Sequence, residues 1–143
     1  MNRSPREASV TAVLTVAALT FVGTGVWAFA APESFYDVIA TYPPYNSHLV
    51  RDIGAFLVGV GAVQIGAVAW RDARFVALLG GTVAAALHWV SHVIDRHHGG
   101  SAADPWLTGA LALLLLAGLI LRTTAPRHVA PTDVPKTEEG ANR

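Results

Sequence analysis

The sequence predicts an all-α fold: a bundle of four transmembrane helices with both termini on the cytoplasmic side. Three observations predict it. Of the 143 residues 52% are hydrophobic and only 14% charged, the balance of a multi-pass membrane protein rather than a water-soluble globule. The apolar residues come in four long blocks instead of amphipathic periods, as expected of helices solvated by lipid on their outer faces. The basic residues divide unevenly. Arg3, Arg6, Arg71, Arg74, Arg122, Arg127, Lys136 and Arg143 fall in one set of connections, whereas Arg51 and Arg96 fall in the other, and cytoplasmic segments carry the excess.

The length allows one domain. The formal net charge is zero and the basic residues are dispersed, so the chain has no electrostatic footprint for nucleic acid. The absence of cysteine excludes disulfides, thiolate nucleophiles and thiolate metal sites. The preference for Arg over Lys, with abundant Ala, Gly and Val, points to a bacterium of high GC content and so to a bacterial plasma membrane.

The first block, Ala8 to Ala31, is about 36 Å long as a helix, enough to span the hydrocarbon core with some tilt. A cleaved signal peptide is the alternative, with Arg3 and Arg6 as its basic start and Ala28-Phe29-Ala30 as an A-x-A site. The block is longer than the usual apolar region of about 7–15 residues. Pro32 to Ser47 reads as an outer loop, since Pro43-Pro44 forbids a continuous helix. The second block runs from His48 to Trp70. Arg71 to Arg74 form a tight turn, and the third block extends from Phe75 to Asp95. A second outer loop closes at Asp104-Pro105, a helix cap followed by a first-turn proline, and the last helix, 105–121, is short. The transmembrane domain is thus 1–121. Residues 122–143, rich in proline and charge, are expected to form a disordered cytoplasmic tail. Trp27, Trp70 and Trp106 stand at block ends, where an aromatic belt lies.

Four of the six histidines fall between His88 and His98, at the outer end of the third block. In the second block Ala55, Gly59, Ala62, Gly66 and Ala69 repeat by threes and fours, a face that would let helix backbones approach closely in lipid. Continued outward, this stripe reaches Asp52 and His48. The third block repeats the pattern through Gly81, Ala85, His88, His92 and Asp95. The short turn makes these two helices antiparallel neighbours, and Asp52 and His92 each lie about twenty residues from its middle, hence at equal depth. The expectation is an outward-facing pocket of His48, Asp52, His88, His92 and Asp95.

His88 and His92, spaced i, i+4, suit metal ligation from one helix face, with His48 as a third ligand and Asp52 or Asp95 as ligand or tautomer-fixing acceptor. Such a nitrogen and oxygen set suits Zn, Cu, Mn or non-haem Fe, and haem between two histidines is a narrower option. The structural alternative is interhelical pairing, Asp52 with His92 and Asp95 with His48 or Arg51. His97 and His98, beside Gly99-Gly100, are expected to be solvated. Glu33, Tyr36, Tyr42 and Tyr45 could line the pocket mouth or serve turn and interface packing. Gln64 stands off the stripe and is expected to contact another helix.

The stretch HLVRDIGAFLVGVG, with Arg51, Gly54, Gly59 and Gly61, resembles the basic-then-glycine-rich second helix of the small four-helix membrane proteins of the DoxX-like type. The resemblance spans Ala8 to Leu121. It implies the four-helix fold and a loose association with membrane redox chemistry, but no site residues. Two functions follow from the residues: a membrane protein binding a metal or small ligand in its His/Asp pocket, or a non-catalytic membrane subunit or scaffold. Lipid is the surrounding partner, and a membrane-protein partner or a homo-oligomer is expected for the second.

Overall fold

In the computed structural model, which describes residues 4–124, the first helix begins three residues before its apolar block. Ser4 accepts the Glu7 backbone N–H at 3.3 Å and Pro5 occupies the first turn, so Ser-Pro-Arg-Glu supplies the capping residue, the pre-set proline and the first-turn acid that start a helix. This helix, α1, spans Pro5–Ala30. A seven-residue helix α2, Pro32–Val38, follows where an irregular loop was expected. Its Phe35 is buried with Ala28 and Val50 and meets Trp27 edge-on, ring centroids 5.5 Å apart. Burial of one aromatic turn holds a segment too short to be helical in isolation.

Asn46 caps α3, Ser47–Ala69, by accepting the N–H groups of His48 and Leu49, both at 3.1 Å. A single 3-10 turn, Arg71–Ala73, leads into α4, Arg74–Ile94. The last helix, α5, spans Asp104–Thr123. Four helices are long and apolar enough to cross a membrane, and no strand occurs among the described residues. Of the tail segment 122–143, Arg122 and Thr123 prolong α5, and residues 125–143 lie outside the described residues. Phe56, Leu19, Leu87, Leu113 and Trp106 point away from the bundle, an apolar exterior that water would not tolerate and hydrocarbon does.

The helices associate chiefly as two antiparallel pairs, α1 with α3 and α4 with α5, and α1 also packs on α5. Contact between α3 and α4 is sparser, although they are joined by the shortest connection. Glycine decides this. A Cβ on Gly25 would lie 2.8 Å from the Gly54 carbonyl oxygen, one on Gly54 2.6 Å from the Phe29 nitrogen, and one on Gly61 3.0 Å from the Val22 nitrogen. The α1 and α3 backbones therefore touch along Gly25, Gly54 and Gly61, where dispersion contacts accumulate without help from water exclusion.

This face is not the expected small-residue stripe. Val50, Gly54, Gly61, Gln64 and Ala67 are the buried positions of α3, whereas Ala55, Gly59, Ala62 and Ala69 are exposed and a Cβ on Gly59 would meet nothing within 4 Å. Both sets have helical spacing, and only the position of α1 chooses between them. In α4 the expected seam does face inward at Gly81 and Ala85. Gly118 brings α5 onto α1 and α4, with Val13 and Leu78 at its α-carbon. Leu14, Leu78 and Leu115 form the fully buried centre. Gln64 is buried there too and donates to the Ala77 carbonyl of α4 at 3.0 Å, the interhelical contact expected of it.

Candidate functional site

The end of the bundle formed by the α2–α3 and α4–α5 loops is organised around His92 rather than around five converging residues. Its Nδ1 lies 3.0 Å from the Tyr42 hydroxyl and 3.9 Å from Oδ2 of Asp104, and the side chains of His92 and Asp104 are each only 14% exposed. Three chain segments meet here: the last turn of α4, the α2–α3 loop and the first residue of α5. The Tyr42 and His92 rings meet edge-on at 5.8 Å, and the His88 ring stands nearly perpendicular to that of His92, centroids 4.6 Å apart.

The α4–α5 loop makes this meeting possible. Gly99 and Gly100 have φ of 148° and 76°, values that a residue with a Cβ rarely adopts. A Cβ on Gly100 would run into the Tyr42 hydroxyl and lie 2.7 Å from Asp104 Oδ2. The Gly100 N–H donates to the Thr41 carbonyl at 3.2 Å, pinning the α2–α3 and α4–α5 loops together. Asp104 does not cap α5 as expected. Its Oδ2 turns back to accept the Ser101 N–H at 2.7 Å, and the same oxygen is the one 3.9 Å from His92.

The Tyr42 phenol is held above its ordinary pKa of 10.0, first by burial and then by the negative charges of Asp104 and Asp95. It stays a neutral hydroxyl. It donates to Nδ1 of His92 in one imidazole tautomer and accepts from Nδ1–H in the other.

The remaining expected residues lie elsewhere. His48 pairs with Asp52 on its own helix at 3.4 Å, both exposed, at 86% and 51%. Two residues of helix turn Asp52 about 160° away from Gly54, the position that meets α1. Asp95 pairs with His98 at 3.5 Å, and His97 accepts from Arg96 at 3.0 Å. The pairings of Asp52 with His92 and of Asp95 with His48 or Arg51 are replaced by these local ones. Equal distance from the Arg71–Arg74 turn did not bring the side chains together, because α3 turns its packing face to α1. Among the described residues no group of three or more His, Cys, Asp or Glu side chains is arranged to hold a metal ion. His88 and His92 are the two nitrogen donors that do adjoin.

Asp104 is the member that sequence reasoning placed in another role, a helix cap, whereas Tyr42 was expected either at the pocket mouth or in turn and interface packing, and it stands against His92. The available clue was topological. Both flank prolines in loops on the same side as His92, so both could reach its depth. No family model, curated protein or solved structure matches this chain, and the likeness to DoxX-like proteins rests on the sequence features alone.

Proposed function

We propose that this chain is a small, non-catalytic multi-pass protein of a bacterial plasma membrane, with both termini cytoplasmic, serving as a membrane subunit whose outer loops are locked by the His92 node. The observation that carries this reading is that Nδ1 of His92 is engaged by Tyr42 and flanked by Asp104 of the same chain. An imidazole held in this way is a structural junction. The division of basic residues between the two sides supports the orientation. The outward Ala55, Gly59, Ala62 and Ala69 face of α3 supports association with a further membrane helix, from a second copy or a partner.

A second reading, divalent metal or small-ligand binding with a redox link of the DoxX-like kind, is favoured by the adjacent His88 and His92 rings. A metal would take its nitrogen ligands from these two residues and an oxygen from Asp104. Metal analysis and an optical spectrum of the purified protein separate the readings. The subunit reading expects no stoichiometric Zn, Cu, Mn or Fe, no haem band, and a lower unfolding midpoint in Tyr42→Phe but not in His88→Ala. About one equivalent of metal, lost in both His88→Ala and His92→Ala, would replace it with the metal reading.

A further inference from the structure

The end of the bundle where α1 begins and α5 ends holds a second polar cluster, remote from the histidines. Arg6 of α1, Arg71 of the 3-10 turn, Arg74 at the start of α4 and Arg122 in the last turn of α5 surround a cleft of about 170 Å³, together with Glu7. Part of this set serves the fold. Arg6 Nε donates to the Leu121 carbonyl at 2.7 Å, and Arg6 also bonds the Thr124 hydroxyl. Arg74 is buried, donating to the Ala67 carbonyl at 3.2 Å and the Thr11 hydroxyl at 3.0 Å. Two arginines thereby satisfy terminal carbonyls of α5 and α3, which would otherwise lack donors.

Those bonds leave the charge in place, because a carbonyl is a dipole and guanidinium does not lose its proton. Glu7, the one carboxylate lining the cleft among the described residues, is paired with Arg71 at 2.7 Å. Among the described residues Arg6, Arg71 and Arg122 therefore bring three guanidinium groups to the cleft against this one carboxylate. The Arg122 side chain makes no hydrogen bond or ion pair among the described residues. Structural capping does not account for Arg71 and Arg122, and the excess positive charge calls for an anion with several acceptor oxygens, which the planar donor forks of arginine match. At roughly 30 Å³ per water the cleft has room for several waters, hence for a phosphate group. The spans put this end at a bilayer surface, among lipid phosphates.

We propose that the cleft of Arg6, Arg71, Arg74 and Arg122 binds a phosphate group, delivered by an anionic phospholipid headgroup or as inorganic phosphate. This rests on the membrane-spanning reading of the helices and not on the histidine node. The test titrates the full-length protein in neutral detergent with dioctanoyl phosphatidylglycerol, with dioctanoyl phosphatidylcholine and with inorganic phosphate, following Trp fluorescence and the thermal midpoint. Saturable binding of phosphatidylglycerol, weaker binding of the zwitterionic lipid, and a loss of roughly fivefold in Arg122→Gln and about 25-fold in Arg71→Gln/Arg122→Gln are expected. Arg51→Gln, at the other end, should leave affinity unchanged. Inorganic phosphate that competes with the same dependence on Arg122 supports the site and makes free phosphate its source, whereas saturation by lipid alone makes it a headgroup site. Failure of both probes to saturate, or equal affinity in wild type and the double variant while both keep the same helical circular dichroism, would overturn the proposal.

Discussion

Gly54→Ala tests whether α1 and α3 are held by direct backbone contact. The added Cβ would lie 2.6 Å from the Phe29 nitrogen, 2.7 Å from the Gly25 oxygen and 3.1 Å from the Phe29 α-carbon. All three are backbone atoms, so no side chain can rotate aside. Restoring ordinary contact moves the helices apart by somewhat under 1 Å, and overpacking of this kind costs about 1–3 kcal/mol. The gain in helix propensity from Gly to Ala, at most about 1 kcal/mol, offsets part of it. Gly59→Ala receives the same propensity gain with nothing within 4 Å of the new methyl. The difference between the two variants should therefore be about 2 kcal/mol, roughly 30-fold in the unfolding equilibrium. Reversible unfolding in mixed micelles, followed by circular dichroism, measures it. Gly25→Ala should act as Gly54→Ala does, and the double variant should lose less than the sum, because one separation relieves both clashes. Equal midpoints for Gly54→Ala and Gly59→Ala would refute the glycine seam.

Three further outcomes are expected. Because folded Tyr42 keeps its proton above its ordinary pKa of 10.0, the folded form binds a proton that the unfolded chain has lost, so Tyr42 makes stability fall as pH rises past 10 and has no effect below it. Tyr42→Phe should remove that alkaline limb in a midpoint-against-pH series, and an unchanged limb counts against the node. Gly100→Ala, which forces a Cβ onto a φ of 76° and against Tyr42 and Asp104, should cost about 1–3 kcal/mol, visible as faster amide exchange in the outer loops, whereas Ala102→Gly should not. Reporters fused after Leu121 and within Arg71–Arg74 should read cytoplasmic, and one within Pro32–Ser47 external; a cytoplasmic reading from the last reverses the orientation, and intact mass distinguishes a retained α1 from a cleaved one.

The sequence by itself determined the number, order and approximate limits of the spans. Apolar length and the polar breaks at Pro32–Ser47, Arg71–Arg74 and Arg96–Ala103 are local properties, and lipid admits no alternative to helix between them. It also marked Gln64 and the Gly81–Ala85 face as interhelical. The Ser4-Pro5-Arg6-Glu7 start of α1 was equally legible in its capping pattern, and the apolar block alone concealed it. Tertiary structure decided which of two helical stripes on α3 packs. Gly54 and Gly61, like Ala55, Gly59 and Ala62, are small residues at helical spacing, and only the Gly25 backbone on α1 selects the first set. That choice turns His48 and Asp52 outward and dissolves the expected five-residue pocket. The true neighbours of His92, Tyr42 and Asp104, come from segments fifty residues before and twelve after it in the chain. No period within one helix encodes them, because their approach depends on how two loops cross and on the glycine φ values that let one of them double back.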